Sequence, residues 1–122
     1  MRLSIRQAAS QDIDTVSDIL REAARWLEDS GMAMWRDDEL LPESIASDVQ
    51  SGSFFLAEYD GETAGTVRFQ LEDNLFWPDV PQHDSAFIHR LAVRRCYAGG
   101  DVSSALLLWS IARTRALGRR YL

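Results

Sequence analysis

Cysteine is nearly absent: Cys96 is the only one in 122 residues, which excludes an internal disulfide framework and leaves the fold to rest on its core. No apolar run approaches the roughly 20 residues that a membrane span needs, and no stretch has signal-peptide character. The cytoplasm is therefore the expected compartment, with no membrane partner. Positive charge is also in short supply, with 13 Lys and Arg against 19 Asp and Glu and a net charge of -6. That balance argues against nucleic acid as a partner and suits a cationic small molecule, or simply a soluble acidic surface. Metal-ligand spacing is missing too. His83 and His89 stand six apart with no cysteine beside them, so no metal is expected. Neither an internal repeat nor a low-complexity tract divides the chain.

What remains is an ordinary globular composition, 46% hydrophobic and 26% charged, of a length that predicts one domain over 1–122. "RLSIRQA" alternates, with Leu3 and Ile5 on one face, and predicts a first strand. Ser10 is the expected N-cap of a helix in which Ile13, Val16, Leu20, Ala23 and Leu27 recur at spacings of three and four, ended by Gly31. Residues 31–44 lack a sustained period and predict a loop leading into a short helix near Pro42 to Gln50. "SFFLAEY" and "TAGTVRFQ" flank Asp60-Gly61, a two-residue hairpin turn. A second irregular, acidic segment, 71–84, precedes the strand "SAFIHRLAV", on which His89 is expected to share a face with Leu91 and Val93. From Val102 the chain is apolar nearly all round, as expected of a helix packed on a sheet, and Gly118 closes it with arginines at its negative end. "RRYL" reads as a strand just beginning. This order predicts an α/β fold with antiparallel pairs and helix on at least one face.

The stretch "LAVRRCYAGGDVSSALLLWS" runs from strand through a glycine loop to a helix, a layout whose free amide N–H groups attract anions. Asp101 sits inside that loop. Its carboxylate caps the amide of Ser103 or Ser104, filling the anion site from within or leaving a cofactor tolerated nearby, or else turns outward and leaves the amides open.

Layout and residues together resemble the GNAT superfamily of acetyl-CoA-dependent N-acetyltransferases. The resemblance runs from "IRQAASQDIDTVSDIL" through "FFLAEYDGETAGTVRF" to "FIHRLAVRRCYAGGDVSSALL". It implies a GNAT-like mixed, mainly antiparallel sheet flanked by helices, and acetyl-CoA as co-substrate. It further implies that Leu91, Ala92 and Val93 line the pantetheine arm, and that Gly99, Gly100, Val102, Ser103 and Ser104 face the phosphates, with Arg94 in support. The family's loop pattern Q/R-x-x-G-x-G/A falls on Ala98 to Ser103, so its three fixed positions are Ala98, Asp101 and Ser103 here. The family's C-terminal strand-helix-strand elements have no counterpart by Leu122, so a truncated domain is expected. An open sheet edge there would invite a homodimer.

The same resemblance places the two irregular segments beside the acceptor pocket. Carboxylates such as Glu72, with Trp35 and Trp77 as cation-π faces, would then attract an ammonium group. A base must take the proton of that amine before it attacks a thioester. His83 and Asp84 are the candidates at the mouth of the last strand, with Glu72 and His89 behind them. Cys96 lacks an indicated His partner and reads as a plain loop thiol. The expected function is transfer of acetyl from acetyl-CoA to a primary amine of a small, cationic metabolite or peptide terminus. A degenerate GNAT domain acting as a non-catalytic CoA-binding or protein-interaction module is the alternative.

Overall fold

A computed structural model describes residues 3–31, 35–71, 85–97 and 100–122. Strands β1 (Leu3–Gln7), β2 (Phe54–Tyr59), β3 (Glu62–Gln70) and β4 (Phe87–Val93) form one sheet in the order β1-β2-β3-β4. Every neighbouring pair is antiparallel. The β2–β3 turn has the left-handed pair that a tight hairpin requires, Asp60 at φ 51° and Gly61 at φ 87°.

Alternation in β2 sorts the core into two layers. Phe54 and Leu56 pack with α1 (Ile13–Asp29) and α2 (Pro42–Gln50), whose Val16, Ile19, Leu20, Ile45 and Val49 are buried. Phe55 and Ala57 pack on the other face with Val67, Phe69 and the residues of α3 (Val102–Ala116). None of the described helices is long and apolar enough to cross a membrane.

Three local expectations are corrected. Ser10 does not cap the first helix. A 3-10 turn, Ser10–Asp12, precedes α1, and Asp12 accepts the Ala9 amide at 2.8 Å while holding Arg6 through two bonds of 2.8 and 3.0 Å. His89 does not share a face with Leu91 and Val93. It lies opposite Arg68, which reaches Asp48 of α2, whereas Ile88, Leu91 and Val93 join the α3 layer. The cause is a bulge: Arg90 adopts φ 56° and the register slips between Thr66 and Arg68, so one extra β4 residue reverses the alternation.

The third correction concerns α3, which buries one stripe only: Val102, Leu106, Ser110 and Thr114. Its two hydroxyls donate to the carbonyls of Leu106 and Ser110, and Leu108 is 66% exposed. Close approach of the helix to the sheet explains the glycine that faces it. A Cβ on Gly65 of β3 would lie 2.9 Å from the Ala92 carbonyl oxygen and 3.1 Å from Val102 Cγ1.

The strand anticipated in "RRYL" begins as a single parallel bridge between Tyr121 and Ser85, with the Ala86 amide donating to the Tyr121 carbonyl at 2.8 Å. Among the described residues no strand pairs with the outer edge of β4 from Phe87 onward.

Candidate functional site

The end of β4 opens into a cleft of about 270 Å³ between α1 and the start of α3. Leu91, Ala92 and Val93 form its β4 wall, and Ala23, Trp26 and Leu27 of α1 face them. The bulge shapes this wall, because Arg90 and Leu91 have no register partner on β3.

Beyond β4 the chain is tied to α1. Glu22 accepts from the Arg94 guanidinium at 3.2 Å and from the Arg95 amide at 3.0 Å. Arg94 is thus engaged away from the loop. Arg95 lines the cleft instead, with its guanidinium 4.2 Å above the Trp26 ring. A cation held over an indole keeps its charge while its position is fixed.

Gly100 and Ser103 bring the loop and the first turn of α3 to the same cleft. Asp101 stands at the N-cap position of α3 and makes no side-chain cap bond, so the expected cap is absent. Its carboxylate accepts the Tyr59 hydroxyl instead. Tyr59 stacks on Tyr97 with centroids 5.5 Å apart and planes 20° apart, and the Tyr97 hydroxyl donates to Glu62 at 3.2 Å. The bond to Asp101 is the main cause that raises the Tyr59 phenol above its ordinary pKa; for Tyr97 it is loss of water contact, then the bond to Glu62. The helix start therefore keeps its first-turn amides free of the nearest carboxylate.

Val102 is buried and contributes only its backbone to this end, and exposed Ser104 does not line the cleft. Trp35 does line it. The cation over Trp35 is the chain's own: Arg90 lies 5.2 Å from the ring centroid and 3.6 Å from Glu39. The Arg36 amide, at 2.8 Å, is the main cause holding the Glu39 carboxyl below its usual range, with Arg90 adding to it. Glu72, Trp77, His83, Asp84 and Gly99 lie outside the described residues, as does Ala98.

Sequence reasoning missed Trp26 and Tyr97 as cleft residues. Trp26, 40% exposed on α1, was a signal, because a large aromatic at the edge of a buried stripe covers something else.

The acetyltransferase (GNAT) family matches residues 14–122 of this chain. The uncharacterized N-acetyltransferase YesJ of Bacillus subtilis is 29% identical over 111 residues, 84% of this chain, which spans 61% of that relative's length. N-acetylglutamate synthase from Neisseria gonorrhoeae, solved with coenzyme A and N-acetyl-glutamate, is 25% identical at a TM-score of 0.68, over 98% of this chain and 24% of that one. The PaiA N-acetyltransferase of Thermoplasma acidophilum, solved with coenzyme A, is 19% identical at a TM-score of 0.73, over 97% of this chain and 75% of that one. A GNAT-family acetyltransferase from Listeria monocytogenes is 23% identical at a TM-score of 0.78, over 94% of this chain and 71% of that one. The last two likenesses are ones of fold.

Proposed function

The chain belongs to the acetyltransferase (GNAT) family, and we propose that it transfers an acetyl group from acetyl-CoA to a primary amine of a small, cationic metabolite or a peptide terminus. One observation carries this reading: the outer β4 edge, unpaired among the described residues, and the uncapped start of α3 meet in a single cleft. The residues fit the group. Leu91, Ala92, Val93, Leu27 and Ala23 offer an apolar wall to a pantetheine arm, and an unpaired strand edge offers backbone bonds to its amides. Gly100, Ser103 and Arg95, all lining the cleft, with the neighbouring first-turn amides of Val102 and Ser104, offer donors and positive charge to a pyrophosphate. Gly99, next in sequence before Gly100, is assigned to the pyrophosphate as well. Arg94 acts in this reading through Glu22, which sets where the loop starts.

Acetyl-CoA supplies an activated thioester. The chain's part is to align it and to bring the amine neutral to the carbonyl carbon. Backbone groups near the Arg90–Leu91 bulge are suited to polarising a carbonyl at the mouth of the cleft. Proton removal from the amine is assigned to His83 or Asp84, which directly precede Ser85. Glu72 and Trp77 are assigned to the acceptor, with the net charge of -6 favouring a cation, while Trp35, already carrying Arg90 over its ring, borders the cofactor cleft.

Release of free thiol from acetyl-CoA, measured over a panel of amines with carboxylate and neutral controls, tests the proposal. Faster release with polyamines or amino-terminal peptides than with the controls supports it. Tight CoA binding without thiol release from any amine supports the non-catalytic reading, which the substitutions at Ala98, Asp101 and Ser103 favour.

A further inference from the structure

We propose that Tyr59 is a positioning residue for the cofactor cradle: its hydroxyl holds the Asp101 carboxylate away from the amides of the first turn of α3. The inference rests on the reading of the cleft as a CoA site.

An aspartate at the N-cap is among the side chains most prone to fold back onto the second and third amides of its helix. Here those amides belong to Ser103 and Ser104. A carboxylate bonded to them would occupy the donors that a pyrophosphate needs and would set like charge against it. Asp101 has that position and not that bond. What diverts it is built into the sheet. Tyr59 ends β2, paired with Leu3 on one side and Glu62 on the other, and the Asp60-Gly61 turn follows at once. Its ring stacks on Tyr97, which Glu62 in turn holds by its hydroxyl. Tyr59 therefore comes from a rigid hairpin, 42 residues from its partner, and reaches the loop at a fixed point. The hydroxyl compensates within this chain for an aspartate at a loop position where the resemblance expects glycine.

Tyr59→Phe keeps the stacked ring and removes only the donor, so the fold is retained. CoA and pantetheine are titrated against the wild type, Tyr59→Phe, Asp101→Gly and the double variant. The proton shifts of the Ser103 and Ser104 amides are recorded without ligand. Tyr59→Phe is expected to weaken CoA binding about tenfold, toward the low end of what two like charges about 4 Å apart exert. Pantetheine, which carries no pyrophosphate, is expected to bind unchanged. In the Asp101→Gly background the same substitution should change CoA affinity by less than about twofold. A Ser103 or Ser104 amide should move downfield in Tyr59→Phe alone, as the carboxylate reaches it. Unchanged CoA affinity with unmoved amides overturns the inference, and so does an equal loss in the Asp101→Gly background, which marks a general structural effect. If the wild type does not bind CoA, the reading of the cleft falls, while the amide shifts still decide where Tyr59 holds the carboxylate.

Discussion

The Tyr59 hydroxyl donates to the Asp101 carboxylate across 42 residues of sequence, and this bond decides what the start of α3 presents to the cleft. Without it, an aspartate at an N-cap and an anion site at the same helix start would compete for the same amides. With it, the carboxylate faces the β2–β3 hairpin, and the loop keeps a usable positive end beside Arg95.

Asp101→Gly is therefore expected to tighten CoA binding only slightly, by no more than about threefold, since a charge already turned aside is screened by solvent. Calorimetric comparison with the wild type checks this. A tenfold weakening would show that the aspartate supports the loop in its own right.

Glu22→Ala removes the acceptor shared by the Arg94 guanidinium and the Arg95 amide. Both ionic side chains are about one-third exposed, 34% for Glu22 and 27% for Arg94, so the stability cost is modest, about 1 kcal/mol after solvent screening. CoA affinity should fall more visibly, about threefold to tenfold, because the loop loses its anchor to α1. Loss of stability with unchanged affinity would detach Glu22 from the site.

At Gly65, alanine would bring its Cβ to 2.9 Å from the Ala92 carbonyl oxygen, against backbone that must move. Gly65→Ala should cost about 1–3 kcal/mol in urea unfolding, and it should weaken CoA because Ala92 lines the cleft. A neutral result would mean that β3, β4 and α3 are packed less closely than described.

Acid should find one weak point at Asp12. The bidentate bond from Arg6 is the main cause that lowers its carboxyl below the ordinary value of 3.8. A depressed folded-state pKa stabilises above the unfolded value and is lost as pH falls through the folded one. Asp12→Asn should thus cost about 1–2 kcal/mol near neutral pH, a figure discounted because Arg6 is 42% exposed. The gap from wild type should narrow as pH falls below the ordinary carboxyl value of 3.8 and close once it has passed through the depressed folded-state one, read from chemical unfolding curves. A gap independent of pH would assign the effect to packing.

Local chemistry was legible in the sequence wherever it decides local structure. The Asp60-Gly61 turn, the Pro42–Gln50 helix and the strand-loop-helix around Val102 follow from turn residues, a proline at the helix start and periodicity. The bulge at Arg90 was not legible, because a left-handed arginine carries no sequence signal, and with it went the face of His89. In the site, Leu91 to Val93, Gly100, Ser103 and Trp35 do meet in one cleft. The pairing of Asp101 with Tyr59, of Arg94 with Glu22 and of Arg90 with Trp35 could not be read, since each joins residues far apart in the chain.

Calorimetric titration of acetyl-CoA into the folded wild-type chain, beside Arg95→Gln and Gly100→Val, tests the central claim most directly. The account predicts one micromolar-range site in the wild type, about tenfold weaker in each variant as the cleft loses its cation or the loop its room beside the Tyr97 carbonyl. Binding of equal strength in all three proteins, or no binding in a chain shown to be folded, would contradict it.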